Sequence, residues 1–524
     1  MRFLFLCLLA ALSCATPPSG GHETGIVHAG FTTDPQTLTM VGKTDRYSEI
    51  VGRLLTDSLF QYDAGLNLQP VLASSWDLSP DGLTATFRLQ RGVRWHDGAP
   101  LTARDVLFTV SKVRDPSTEA ASYLSQFQDL VSIEAPDEYT VRASYSKFYA
   151  DFLEGWTVPI IPEHLAGKDE HLLTGEFARH PIGCGPFRFV RYEPGIEIVL
   201  EANPDYWAGP LSVRQLVFRI IPDDRTGYQA LLRGDLSMAL LTPDLWMQAQ
   251  RSEEARRLKQ LFFYRNTVWH IGWNQDGSNP FFTEPGTRRA MVLTLDRPRF
   301  IETVLHGLAK PAATSYHPDT AWADPGTVPW PYDPEEAARL LDEAGWTDSD
   351  GDGVRDRDGR PFAFTLNHAS TQEIGDRTAA WVQQSLAAVG VKMQIEKLEW
   401  RTFLERRRAH KFQAAMSQLS FTIPDQFELY HSSARENGLN YFGLSDQEVD
   451  RLVESGRTTF DTDERREIYR RLQGRLHELE PISCLFHFAS PLLHDPHLEG
   501  LEPSFLDLWR TTPGPRAWLF SPGE

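Results

Sequence analysis

"PFAFTLNHASTQEIGDRTAAWVQQSLAAVGVKMQIEKL", residues 361–398, decides the fold class. Its opening, PFAFTLNH, is a short apolar-rich run that reads as a strand. RTAAWVQQSLAAVG reads as a helix that stops at Gly390, the residue type that accepts the left-handed conformation at a helix end. VKMQIEKL then alternates, with Val391, Met393 and Ile395 on one side, which is strand periodicity. Strand, helix, strand is a β-α-β unit, and it predicts an α/β domain across 268–485. Upstream, YDPEEAARLLDEAGW (332–346) carries the signals of another helix. Asp333 is the N-cap, Pro334 takes the first helical position, and Glu336 completes a capping box. Ala337, Leu340, Leu341 and Ala344 share one face, and Gly345 stops the helix.

Between residues 80 and 145 the pattern changes. LTATFRLQRGVRW and YTVRASYS read as antiparallel strands around one helix of about 103–113, capped by Thr102. No Pro/Gly-rich linker separates the two regions, and there is no internal repeat. Domains joined this way share several chain crossings, which favours hinged motion over free tumbling.

At 524 residues the chain exceeds one ordinary core, so two or three domains are expected. Hydrophobic residues at 41% and aromatics at 11% fit a packed chain rather than a disordered one. The net charge of −19 is spread without a run of like charges, which argues against nucleic acid as a partner. MRFLFLCLLAALSCATPPSGG opens with Arg2, an apolar stretch from Phe3 to Leu12 and then small residues. That pattern predicts a secretion signal over 1–13, since the apolar part is far short of the roughly 20 residues a membrane span needs. Small residues before Cys14, and a tether over 14–24, resemble a lipoprotein box in which Cys14 is acylated; plain cleavage to a free product is the alternative. Only Cys184 and Cys484 remain in the mature chain, as one disulfide or as two buried thiols.

Three constellations invite a chemical reading. WHDG places His96 beside Asp97, but no further ligands or nucleophile motif accompany them, and neighbours on a strand point to opposite faces. Asp97-Gly98 reads as a turn. In DSDGDGVRDRDG (348–359), Asp348, Asp350 and Asp352 match the first half of a calcium loop, but position twelve is Gly359 instead of a bidentate Glu, so a surface turn is the better reading. Among fourteen tryptophans, Trp76 and Trp207 read as core. YRNTVWHIGWNQ (264–275) and LEWRTFLERR (398–407) mix aromatic and polar groups, as a small-molecule site does, although core packing explains any single tryptophan equally well.

Residues 25–115 contain TTDPQTL and LLTDSLFQYDAGLNLQPVLASSWDLSPDGLTATFRLQRGVRWHDGAPLTARDVLFTV. With IIPEHL (160–165), HPIGCGPFRFVRYEPGIEIVLEANPDYWAGP (180–210), IIPDDRTGYQALLRGDL (220–236), RRAMVLTLDRPRFIETVLHGLAKPA (288–312) and GLNYFGLSDQEVDRLV (438–453), the chain resembles the extracytoplasmic solute-binding proteins of family 5. These are the receptors of bacterial peptide and nickel ABC importers, and WHDG belongs to their signature without a catalytic role. The resemblance implies an α/β fold of the periplasmic binding protein type II kind, with two lobes, a hinge and an extra α+β domain. Lobe I would comprise 25–55, 180–265 and 489–524, the extra domain 56–179 and lobe II 266–488. Closure would bury the ligand between the lobes.

The resemblance also implies ligand-contacting positions. Tyr123 resembles a cleft tyrosine, Trp400 a cleft tryptophan, and Asn440-Tyr441 a ligand-facing loop. Trp269 and Asn274 follow the first hinge crossing, and His487 lies beside the second. Peptide-binding members carry a Trp and then an Asp for the peptide's free amine where this chain has AAMSQLSFTIPDQF (414–427). Ser420, Phe421 and Thr422 stand there instead, and no carboxylate appears before Asp425. A buried ammonium without a counter-charge costs several kcal/mol. A blocked or cyclic peptide, a glycoside or a nickel chelate therefore joins the peptide reading. The expected partners are the solute and an ABC permease–ATPase complex, with membrane contact through the lipid anchor only. A monomer in the periplasm or on the cell surface is expected, without cofactor or catalysis. A binding protein for a sensor is a further reading. A secreted hydrolase using His96 or His487 lacks a nucleophile.

Overall fold

The computed structural model describes residues 25–521 apart from 40, 42–44, 119, 148, 170, 370–372, 421–423 and 437. The signal (1–13), Cys14, the tether and Phe421 lie outside the described residues. No described helix is long and apolar enough to cross a membrane.

The chain begins with β1 (Ile26–Phe31) and α1 (Arg46–Leu55), whose N-cap Asp45 accepts the N–H groups of Tyr47 and Ser48. A separate antiparallel sheet follows, built from β2 (Ala73–Leu78), β3 (Thr84–Leu89), β4 (Leu130–Asp137) and β5 (Thr140–Tyr145) in the order β2-β3-β5-β4. α2 (Ala103–Val113) packs on it with Thr102 at its N-cap. β6 (Phe187–Glu193), β7 (Glu197–Ala202), β8 (Gln215–Ile220) and β9 (Met238–Leu240) return to the first sheet, followed by α3 (Pro243–Arg251) and the long β10 (Lys259–Trp273).

The β-α-β unit then appears as β11 (Ala363–His368), α5 (Glu373–Ala387) and β12 (Lys392–Lys397), preceded by α4 (Pro334–Glu343). β11 and β12 pair in parallel, and Val391, Met393 and Ile395 face one core, as their alternation demands. α4 is capped as its sequence predicts: the Asp333 carboxylate accepts the Glu336 N–H at 2.9 Å, and Gly345 takes φ +79°. The remaining elements are α6 (Trp400–Arg408), β13 (Ala414–Ser420), α7 (Gln447–Thr458), α8 (Thr462–Leu479) and β14 (Ile482–His494).

The large sheet has eleven strands in the order β12-β11-β13-β10-β14-β9-β1-β8-β7-β6, with the short strand Ala309–Pro311 on β14. β10 and β14 run through both halves of the molecule, whose buried residues gather in separate cores. Val27, Phe87, Trp156, Phe218 and Trp518 belong to one; Trp273, Phe282, Trp346 and Phe362 to another; Tyr430, Phe442, Leu452 and Tyr469 to a third. Trp76 corrects the core reading: it is 39% exposed on β2, with its ring edge-on to Phe60 and Phe152. Trp207 is half-buried, with its indole N–H on Asp57 at 2.9 Å.

Candidate functional site: the seam between the halves

β10 pairs with β14 in two stretches. Lys259–Tyr264 run against Ala489–His494, and Val268–Gly272 against Ile482–His487; the register breaks between Tyr264 and Val268. Partners from both halves meet this break. The Asn266 N–H donates to the Phe505 carbonyl at 2.8 Å, and the Asn266 carbonyl accepts from the Ser420 hydroxyl at 3.2 Å. Tyr264 lies 4.8 Å from the His317 ring, and the Lys310 ammonium sits 4.9 Å from the Tyr264 ring centre. A ladder break is where backbone angles change at small cost in paired bonds, so the seam has the character of a hinge.

Two buried histidines flank it. His487 is opposite Val268, and its Nδ1 lies 3.2 Å from the Thr267 carbonyl, which assigns the proton to Nδ1. His317 Nδ1 accepts the Asp319 N–H at 3.1 Å, which assigns its proton to Nε2. The rings meet edge to face at 4.7 Å. Burial pushes His487 down to about 3, with His317 adding to the shift, and pushes His317 down to about 4. Both are neutral near pH 7.

The other residues marked by the sequence fall into three environments. Trp400 begins α6, 54% exposed, with its ring 5.8 Å from Phe403. Ser420, also exposed, ends β13 at the seam. Tyr123 is half-buried and hydrogen-bonded to Arg53; burial raises its hydroxyl pKa and Arg53 partly offsets that. Asn274 and Asn440 are fully buried with their amides committed to backbone. Asn274 Nδ2 donates to the Phe412 and His410 carbonyls at 2.9 and 3.2 Å. Asn440 Nδ2 donates to Leu444 and His431 carbonyls at 2.9 and 3.0 Å, and its Oδ1 accepts the Leu444 N–H. Tyr441 is buried with its hydroxyl 2.5 Å from His270 Nε2, and the Arg407 guanidinium lies 4.0 Å from its ring centre. Trp269 is buried in the core of its half beside Phe486.

Several functional-site candidates carry no signal that the sequence reading used. Arg465 on α8 grips Asp151 with both terminal nitrogens, one at 2.8 Å. Next to it, the Ala150 N–H donates to the Arg457 carbonyl at 2.8 Å. The Arg457 guanidinium packs on Tyr149 (4.0 Å) and Phe427 (4.2 Å) and pairs with Asp425 at 2.8 Å. Burial pushes Asp425 up to about 6 against the pull of Arg457. A cavity of about 80 Å³ remains between these groups. A second bridge joins Asp244 on α3 to Arg377 (2.9 Å) and His306 (3.2 Å). These partners are separated by 30 to 314 residues, so no local pattern reveals them. The charges of α1 do follow helical spacing: Arg46, Glu49 and Arg53 at i, i+3 and i+7.

WHDG has the geometry of a turn. His96 Nδ1 accepts the Gly183 N–H and Nε2 faces the Gly185 carbonyl, both at 3.1 Å. Asp97 instead meets His164 at 2.7 Å and accepts the Ala99 N–H, while Gly98 takes φ +89°. Cys184 and Cys484 are free, buried thiols in different cores, which removes the disulfide alternative. Burial pushes the Cys184 thiol up to about 12. The carboxylates of Asp348, Asp350 and Asp352 gather within 4.8 Å and are exposed. They accept backbone N–H groups of their own loop: Asp348 those of Gly351 and Gly353, Asp350 that of Asp352, and Asp352 that of Val354.

Known proteins share this architecture. Residues 67–441 match the family described as bacterial extracellular solute-binding proteins, family 5 Middle. The oligopeptide-binding protein AppA of Bacillus subtilis (strain 168) is 29% identical over 510 residues, covering 94% of this chain and 91% of that protein. The di/tripeptide-binding protein 2 of Pseudomonas aeruginosa (strain UCBPP-PA14) is 30% identical, covering 81% of this chain and 82% of that protein. The solved structure of Bacillus subtilis AppA in complex with a nonapeptide superposes with a TM-score of 0.80 at 27% identity, over 95% of this chain and 99% of that one. NikZ of Campylobacter jejuni, in complex with Ni(L-His), shares the fold with a TM-score of 0.82 at 24% identity, over 95% of this chain and 100% of that one. The match spans most of the chain in both sequence and fold, and the chain belongs to family 5 of the bacterial extracellular solute-binding proteins.

Proposed function

We propose that this chain is the solute receptor of an ABC importer, and that it captures a peptide or peptide-like molecule between two closing lobes and releases it unaltered. The observation that carries the reading is the pair of strands β10 and β14, which run through both halves and lose their longest run of pairing between Tyr264 and Val268, with a second register shift between Trp269 and His270. Two lobes joined there close by rotation, and the ligand holds the closed state through contacts to both. Lobe I is 25–55, 180–265 and 489–524, the extra domain 56–179, and lobe II 266–488. The names of the relatives support a peptide as ligand. Trp400, Ser420 and Tyr123, together with Phe421, are the ligand-facing candidates, because the described ones keep exposed or half-buried side chains. Trp269, Asn274, Asn440, Tyr441 and His487 form the wall behind them, since their polar groups are committed inside the protein or their rings are buried. The mature chain is held outside the cytoplasm by acylated Cys14 and works with a permease and ATPase without catalysis of its own.

Native mass spectrometry of the purified mature protein, followed by calorimetry with short peptides, tests this. The expected result is one peptide-like molecule per chain, recovered intact after release. Peptide products that accumulate with time, or a bound solute without any amide bond, would overturn it.

A further inference from the structure

The seam holds more positive charge than it neutralises. Four arginines converge on it from lobe I and the hinge. Arg46 lies 3.5 Å from Asp507, and Arg510 pairs with Asp507 at 2.9 Å and with Glu49 at 2.7 Å. Arg53 pairs with Glu49 at 3.1 Å. The fourth, Arg265, sits inside the register break and has no ion pair with any described residue; its Nε donates to the Ser490 hydroxyl at 3.2 Å. Both carboxylates are fully used. Asp507 also accepts the N–H groups of Trp509 and Arg510. Burial would raise Glu49, but Arg510 and Arg53 hold it at about 2. The next acid, Glu154, is bonded to the Tyr62 hydroxyl and is pushed up to about 7 by burial. Burial, with the neighbouring cations Arg46 and Arg510, lowers Arg265 to about 10. Across the seam Asp151 and Asp425 are held by Arg465 and Arg457.

We propose that Arg265 anchors a carboxylate of the captured solute, so that the receptor selects acidic or amine-blocked peptide-like molecules over those whose only terminal charge is an ammonium. The terminal nitrogens of Arg265 have no partner among the described residues, and the planar guanidinium fork matches a carboxylate in two parallel hydrogen bonds. A half-buried cation without a counter-ion costs stability, and such costs persist where function needs them. In a protein of net charge −19, a local excess of guanidinium at the hinge is a specific feature rather than a general surface property. A carboxylate held here also reports closure, because the seam changes geometry when the lobes rotate. The inference rests on the peptide-like reading for the choice of carboxylate over other anions.

The test uses the full mature chain and Arg265→Gln. The probes are N-acetyl-tetra-alanine acid, its C-terminal amide, and an N-acetylated, amidated tetrapeptide with one aspartate. Calorimetry is expected to show the acid and the aspartate peptide binding at least tenfold more tightly than the amide. That preference is expected to vanish in Arg265→Gln, and whichever acidic probe binds more tightly identifies a terminal or a side-chain carboxylate as the partner. If neither acidic probe binds more tightly than the amide, or if the preference survives in Arg265→Gln, the proposal is overturned. The second readout needs no ligand. Removing an uncompensated charge is expected to raise the melting temperature of the ligand-free protein by a few degrees. A lower melting temperature marks Arg265 as structural and overturns the proposal. Should none of the three peptides bind, the peptide reading fails, and the ligand-free melting shift alone decides the anion inference.

Discussion

His96 shows how a reactive-looking residue is spent on shape. Its ring bridges the Gly183 N–H and the Gly185 carbonyl, which requires the neutral tautomer protonated on Nε2. The chain passes so close there that a Cβ on Gly183 would lie 1.8 Å from the Leu55 carbonyl oxygen, so glycine is the only fit. Burial pushes His96 down to about 4 from 6.5. A base depressed by folding binds its proton less readily in the native state than in the unfolded chain. Its contribution is therefore constant above pH 6.5, falls as the pH drops from 6.5 towards 4, and levels off below. His96→Gln keeps an acceptor and a donor but does not titrate. We expect the stability advantage of the wild type over this variant to shrink by about 3 kcal/mol between pH 7 and pH 4, since each tenfold loss of proton affinity on folding is worth about 1.4 kcal/mol. Urea midpoints at several pH values measure it, and a difference independent of pH would show that the ring is not held neutral.

The elements differ in how legible they are from sequence, and the reason is the range over which their causes act. α4 is written locally: Asp333, Pro334 and Gly345 set both ends, and the apolar face does the rest. We expect Asp333→Ala to cost about 1 kcal/mol by loss of the bond to the Glu336 N–H, read as a lower urea midpoint with an unchanged slope. The parallel strands β11 and β12 are legible because each carries one periodicity in one environment. β10 is not. It starts with exposed Lys259 and Gln260, crosses the break, and ends in buried Trp269, Ile271 and Trp273, so no single period describes it. The same aromatic and polar letters in 264–275 read as a binding wall and form a core strand. Asn274 and Asn440 are hard to read for a related reason. An amide that holds a loop and an amide that awaits a ligand look alike in sequence, and only the backbone carbonyls around them tell them apart. Charge pairs such as Asp151–Arg465, 314 residues apart, leave no periodic trace.

At the scale of the molecule those long-range pairs matter most, because they tie residues 149–151 to 457–465; if these belong to the extra domain and lobe II as proposed, the pairs bear on the balance between open and closed forms. The contacts are the Asp151–Arg465 pair, the Ala150–Arg457 backbone bond and the Arg457 guanidinium on Tyr149. None touches the seam at 265–267, where the rotation would occur. We expect opening to part Asp151 from Arg465 and expose the guanidinium, so that its counter-ion favours closure. In Asp151→Asn the buried guanidinium keeps the Gly456 carbonyl and the Tyr469 hydroxyl but loses its charge partner. Breaking such a pair costs about 3 kcal/mol where the partner stays buried. Here the lobes have a way to relieve that cost, by opening and hydrating Arg465. The ligand-free variant is therefore expected to have a larger radius of gyration in X-ray scattering than the wild type. Its affinity for any ligand that needs the closed form is expected to fall by the factor by which the closed population falls. Saturating ligand is expected to restore the compact profile. Identical scattering curves for variant and wild type, with ligand affinity unchanged, would mean that the pair fastens the extra domain without biasing closure, and the closure role would be lost.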